Sequence, residues 1–158
     1  MGERDLRAML RVLVLLCAQI ALIGHAQTPI CAIQGSGTSS PYADQSLFTT
    51  GIVTAIYSGS GTVQGFFIED PGCDSDPATS NGLFVYNPNT SGISLGQRVS
   101  VSGTVIEFQG LTELTNVTNI AVIGSGTVPP TEINLPITNL ANWERYEGML
   151  LRFPQSLA

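Results

Sequence analysis

The chain has 158 residues, with twelve acidic and six basic side chains and a net charge of −6. This length suits one compact domain and excludes two domains of ordinary size. The low content of basic residues argues against tight, sequence-blind binding to phosphate backbones, because such affinity comes largely from Lys and Arg.

The first 26 residues have the layout of a secretory signal peptide. Three arginines precede the apolar run 12–24, and Gly24 and Ala26 supply small residues before a cleavage point. We therefore predict a signal peptide over residues 1–26 and a secreted, extracellular protein. The alternative is a membrane anchor, which is disfavoured because the run is short for crossing a bilayer. We expect no membrane association after cleavage.

Removal of the signal peptide leaves few groups for catalysis. His25, the only histidine, is lost, and the chain has no lysine. Ten acidic residues and three arginines remain, which gives a charge of −7. A His base, a His metal ligand and a Lys nucleophile are thereby excluded, and we predict no catalytic residue in the mature domain.

Cys31 and Cys73 are the cysteines that remain after signal cleavage, since Cys17 lies in the signal. An exported pair of cysteines favours a disulfide, with two free thiols as the alternative. A bond between them would tie the N-terminal arm to an acidic loop.

Beyond an N-terminal arm over residues 27–45, which we expect to be extended, the sequence predicts five strands. They are placed at residues 46–57, 64–69, 82–86, 96–108 and 111–123. Valines alternate with polar residues in the fourth, as in a half-buried strand, and the fifth is expected to be bent or interrupted.

The predicted fold is all-β. Five strands over residues 46–128 fit an OB-like Greek-key barrel in size and spacing, without the usual helix between strands three and four. At most one short helix is expected, near the C-terminus within 138–146. Residues 129–158 read as a linker and the start of a further segment. Residues 149–153 are strand-like without a partner downstream, so we expect the chain to be a truncated fragment.

The loop after the second strand is rich in carboxylates. Asp70, Asp74 and Asp76 are candidate ligands of calcium, which prefers several such oxygens. The alternative is a solvated loop whose aspartates cap turns.

Aromatic residues give a second set of candidates. Oligonucleotide-binding barrels use strands two and three and the adjacent loops, and exposed aromatic rings there stack on bases. The predicted nucleic-acid-binding residues are Tyr57, Phe67, Tyr86, Arg98 and Phe108. The alternative is packing inside the barrel, which is favoured for Phe66 and Phe84.

Several sequence blocks together resemble one family. They are residues 32–37 (AIQGSG), 65–86 with DPATSNGLFVY, 96–105, 108–115 and 143–149 with WERYEGM. In this order they resemble the N-terminal region of secreted bacterial endonucleases of the ExeM/NucH type. Asn81 departs from the pattern, because Asp is common there, which weakens a metal-binding role for the loop.

The resemblance implies an OB-fold module that precedes a metal-dependent endonuclease/exonuclease/phosphatase-type catalytic domain. Magnesium or a similar ion would belong to that domain, which is not in this chain. The expected function is therefore accessory, with DNA or RNA and the downstream nuclease domain as partners. The alternative is a protein- or glycan-interaction module with no nucleic-acid role.

Overall fold

Five strands form the main sheet of the protein. The computed structural model describes residues 26–59 and 63–156, so the predicted signal peptide lies outside the described residues except for Ala26. The strands are β1 (Ser46–Tyr57), β2 (Gly65–Glu69), β3 (Gly82–Tyr86), β4 (Gln97–Phe108) and β5 (Leu111–Ser125). The prediction of a mostly β chain with five main strands is confirmed, and each boundary lies within two residues of the predicted one.

The order of the strands closes the sheet. β1, β2 and β3 form an antiparallel meander, and β4 and β5 form a hairpin that pairs with β1 through β4. β3 and β5 are parallel, with Phe84 opposite Glu113 and Val85 opposite Leu114. The order is therefore β1-β2-β3-β5-β4, with β4 returning to β1.

The apolar core lies inside this sheet because side chains alternate along each strand. Val99, Val101 and Val105 of β4 are fully buried and Gly103 is buried with them, whereas the alternate residues Ser100, Ser102 and Thr104 are partly exposed. Register shifts, which mark irregularities such as β-bulges, occur in the pairing of β4 with β5, and β5 is one continuous strand.

A short helix in the N-terminal arm corrects the prediction that residues 27–45 are extended and that the only helix lies near the C-terminus. Helix α1 (Ile30–Gln34) ends at Gly35, whose φ is 67°. Ile30 and Ile33, one turn apart, are both fully buried against the core. Burial of two isoleucines outweighs the low helix propensity of the surrounding Gly, Ser and Thr residues.

The predicted disulfide between Cys31 and Cys73 is confirmed. Its Cα atoms are 5.9 Å apart, and it joins helix α1 to the loop that follows β2. A closed loop of this length stabilises the fold by about 4 kcal/mol in the chain-entropy model.

A second small ladder lies after the main sheet. Strands β6 (Thr131–Glu132) and β7 (Leu151–Arg152) are parallel, and a 3₁₀ helix (Leu140–Tyr146) connects them within the predicted helical segment. The strand-like run 149–153 thus has its partner upstream. Within the described residues, no helix is long and apolar enough to cross a membrane.

Residues 147–150 pack against the main sheet, and we call this contact the C-terminal junction. The N–H of Leu150 donates to the Glu69 carboxylate at 2.8 Å, and the Ser80 hydroxyl donates to the carbonyl of Glu147 at 2.5 Å. The backbone of Gly148 lies so close to Gly82 that a Cβ at Gly82 would be 2.3 Å from the carbonyl carbon of Gly148. Only glycine fits there.

Replacement of Gly82 by alanine should separate the C-terminal junction from the sheet. The new methyl group would meet rigid backbone, so we expect a loss of stability of about 2 kcal/mol or more. Urea unfolding followed by Trp143 fluorescence measures this loss. Gly124→Ala is the control, because a Cβ there has nothing within 4 Å. Equal stability of the two variants would contradict the close packing.

Candidate functional site

A groove of about 590 Å³ lies on the outer surface of the main sheet. One side is formed where the chain enters β2, and the other is formed by the β4–β5 hairpin. Its lining residues are Val63, Gln64, Phe84, Tyr86, Ile106, Phe108, Gln109, Leu111, Glu113 and Thr115. Two of the predicted nucleic-acid-binding residues, Tyr86 and Phe108, are therefore brought together in it.

Both of these aromatic side chains stand at strand ends. Tyr86 closes β3 and is 42% exposed, and Phe108 closes β4 and is 54% exposed. Gln109 and Gly110, with φ values of 54° and 83°, form the two-residue turn between Phe108 and Leu111. Such a turn is short and well defined, so it fixes the direction in which the Phe108 ring projects.

Phe84 corrects one expectation from the sequence. Phe66 is fully buried in the core as expected, whereas Phe84 is buried on the outer face and lines the groove. Its ring lies 4.8 Å from that of Phe67 and covers Gly65, where a Cβ would be 2.8 Å from the ring. The missing side chain at Gly65 thus provides the space that the Phe84 ring fills.

Glu113 is the groove residue that the sequence did not reveal. It lies between Phe84 on the parallel neighbour β3 and Ile106 on the antiparallel neighbour β4. The residue is only 6% exposed, and within the described residues its side chain makes no hydrogen bond or ion pair. Its carboxylate oxygens are not among the fully buried unpartnered atoms, so they are open to the groove. Burial raises the pKa of its carboxyl. Only the pairing of β3 with β5 places this carboxyl among apolar groups.

The other predicted binding residues lie outside the groove lining. Tyr57 and Phe67 form an edge-to-face pair with ring centroids 6.0 Å apart, next to Phe84. Arg98 lies at the opposite end of β4 from Phe108 and approaches Asp70 at 3.8 Å. The structure therefore extends the aromatic surface across β1, β2 and β3 but does not bring Arg98 to it.

The arginines of the described ranges all contact groups outside the groove. Arg152 pairs with Glu132 at 3.0 Å, and the guanidinium of Arg145 lies 4.9 Å from the ring centre of Tyr146. Glu113 is thus the charged group among the described residues that line the groove.

The acidic loop uses its carboxylates to hold its own turns. Asp74 accepts hydrogen bonds from the N–H of Asp76 at 3.0 Å and from the Thr79 hydroxyl, and Asp76 accepts one from the N–H of Ala78 at 2.9 Å. Across residues 26–59 and 63–156, no three His, Cys, Asp or Glu side chains converge as a metal site would require. The calcium site at Asp70, Asp74 and Asp76 stays a prediction, without a converging ligand set in its favour.

Two carboxylates, of the buried Glu69 and the half-buried Glu147, hold the C-terminal junction. Burial raises the pKa of Glu69, against the opposing effect of the hydrogen bond from Leu150. Burial also raises the pKa of Glu147, which accepts a hydrogen bond from the N–H of Thr112 at 2.9 Å. These side chains serve packing, because each binds a backbone N–H of a neighbouring segment.

Comparison with known proteins adds no relative. No protein-family model matches the chain, and the search of curated proteins finds no match.

The buried glutamates predict that stability increases when the pH is lowered from about 7.5 to about 5. Their pKa values in the folded chain lie above the reference value of 4.5, so the folded state binds protons first as the pH falls. Urea midpoints at the two pH values measure the effect.

Glu69→Gln should reduce this pH dependence, and Glu132→Gln, at an exposed position, is the charge-matched control. A chain that is more stable at the higher pH would contradict the assignment.

Proposed function

We propose that the main sheet is an OB-like Greek-key barrel and that the chain is a non-catalytic binding module. Support comes from the antiparallel meander β1-β2-β3, followed by a hairpin whose strands lie between β3 and β1. The OB fold is a five-stranded Greek-key barrel, and this strand order is compatible with it. The segment between β3 and β4 has no helix, as in the sequence-based expectation.

The ligand that best fits the groove is single-stranded nucleic acid. OB barrels bind oligonucleotides on the face of strands two and three, between the β1–β2 and β4–β5 loops. The groove lies beside this face, because it is lined by β3, by the chain that enters β2 and by the β4–β5 hairpin. The exposed rings of Tyr86 and Phe108 on its two sides are the observation that carries the proposal. Flat aromatic rings stack on bases of any sequence.

Charge sets the character of this binding. No arginine is among the described residues that line the groove, so few counterions would be released on binding. The proposed interaction therefore depends on stacking, is weak, and depends less on salt than that of a basic single-strand binder.

The resemblance supplies the biological context. The sequence blocks shared with secreted endonucleases of the ExeM/NucH type support an accessory role beside a metal-dependent catalytic domain outside this chain. In this proposal the signal peptide directs export, the disulfide forms after it, and the groove holds a strand near the nuclease domain.

Replacement of Tyr86 or Phe108 by alanine should weaken binding of a short oligothymidine. Loss of one stacked base costs about 1–3 kcal/mol, which is roughly a 5- to 150-fold change in affinity. Titration at low salt, followed by tyrosine or Trp143 fluorescence, measures the change.

Leu95→Ala is the matched control, because Leu95 is 66% exposed but does not line the groove. Absence of binding by the unmodified chain at high micromolar concentration would remove the proposal, as would equal binding by all variants.

A second candidate is a glycan-binding module. A buried carboxylate beside aromatic rings suits a neutral sugar, because the rings stack on its apolar face and the carboxylate accepts hydrogen bonds from hydroxyl groups. Glu113 between Phe84 and Ile106 is the observation that favours it. Neutral oligosaccharides in the same titration separate the two candidates.

The chain alone should not cleave phosphodiester bonds. Residues 27–158 contain no histidine or lysine, and three arginines are their basic side chains. Supercoiled plasmid DNA incubated with the purified chain and magnesium should remain uncut, with a commercial nuclease as the positive control. Reproducible nicking that copurifies with the chain would contradict this prediction.

A further inference from the structure

Glu113 occupies a central position in the groove without a partner. Its flanking residues across the sheet are Phe84 and Ile106, and the side chain is more than nine-tenths buried while still lining the groove. A buried carboxylate normally accepts several hydrogen bonds. Here the described residues supply none, and the oxygens of Glu113 are not among the fully buried unpartnered atoms, so they are open to the groove and a ligand with suitable donors can replace water there.

The geometry points to Glu113 as a specificity-determining residue that accepts hydrogen bonds from a stacked base and selects guanine. This inference rests on the proposed binding of single-stranded nucleic acid. It adds a preference among bases, which the aromatic rings alone would not provide.

The choice of guanine follows from the pattern of donors on the base edges. A carboxylate offers two acceptor oxygens and no donor when ionised. Guanine presents two adjacent donors, N1–H and the N2 amino group, which match these oxygens. Thymine and uracil present one N–H between two carbonyl groups, and adenine and cytosine place an amino group beside an acceptor nitrogen. Their lone pairs would face the carboxylate.

The position of the aromatic rings is compatible with this contact. Phe84 and Glu113 are opposite each other in the parallel pairing of β3 with β5. Tyr86 lies two residues after Phe84 on β3, so its side chain projects from the same face of the sheet as those of Phe84 and Glu113. Phe108 and Leu111 are opposite each other at the other end of the groove. A base that stacks on either ring can direct its edge toward the carboxylate at the centre. Desolvation by burial raises the pKa of this carboxyl.

The test compares an oligothymidine of about nine nucleotides with the same oligomer carrying one central guanine. We expect the guanine oligomer to bind at least about fivefold more tightly, in the range for a bidentate contact to a base. Hypoxanthine, which lacks the N2 amino group, should lose part of this preference in the same position.

Glu113→Gln should abolish the preference for guanine. The glutamine amide has only one acceptor oxygen, and its NH2 group would face the second N–H donor of guanine, where no hydrogen bond can form. Glu132→Gln is the control, since it removes the same charge at an exposed site outside the groove. The readout is the ratio of the affinity for the guanine oligomer to the affinity for plain oligothymidine. Removal of a negative charge strengthens binding of both oligomers, and the ratio cancels this common effect. Binding of plain oligothymidine by Glu113→Gln verifies that its groove is folded.

The outcomes separate the two proposals. Equal affinity of the unmodified chain for both oligomers, or a preference retained in Glu113→Gln, would overturn the guanine selection and leave the base-stacking function standing. Absence of binding to any oligomer would remove both.

Discussion

The parallel contact between β3 and β5 is the constraint on which the rest of the structure depends. It consists of Phe84 opposite Glu113 and Val85 opposite Leu114. The inner pair, Val85 and Leu114, completes the core, and the outer pair creates the centre of the groove. Without this contact the meander and the hairpin would each present an open edge, which is unfavourable in a protein of this size. Closure of the sheet and construction of the site are therefore the same event.

Two further contacts cover the sheet from outside. The disulfide holds helix α1 against the core, and the C-terminal junction places backbone against backbone at Gly82 and Gly148. Both cover parts of the surface away from the groove lining. The two carboxylates in the junction have backbone N–H partners, whereas Glu113 has none among the described residues. This contrast distinguishes a structural carboxylate from one that is available to a ligand.

Local patterns in the sequence were enough to predict where the strands lie in the chain, but not which strands pair with each other in the sheet. The alternation in β4 and the turn residues around β3 mark those elements directly, and the two available cysteines indicate their own pairing. Helix α1 was missed because its stability comes from burial of Ile30 and Ile33, not from local propensity.

The candidate site was predicted in part for the same reason. Tyr86 and Phe108 were found because aromatic residues at strand ends are informative on their own. The position of Glu113 beside Phe84 in the groove depends on the long-range pairing of β3 with β5, and no local sequence pattern encodes that pairing. Arg98 was included by its charge alone, and the structure places it at the far end of β4.

The two-residue turn at Gln109 and Gly110 has a consequence for the energetics of recognition. Phe108 and Leu111 are opposite each other directly beside this turn, so the hairpin end has little freedom to lose when a ligand arrives. Ordering of loops and side chains is a major cost of association. Here most of that entropy loss would fall on the ligand. A flexible nucleic-acid strand would therefore lose more conformational entropy on binding than a rigid one.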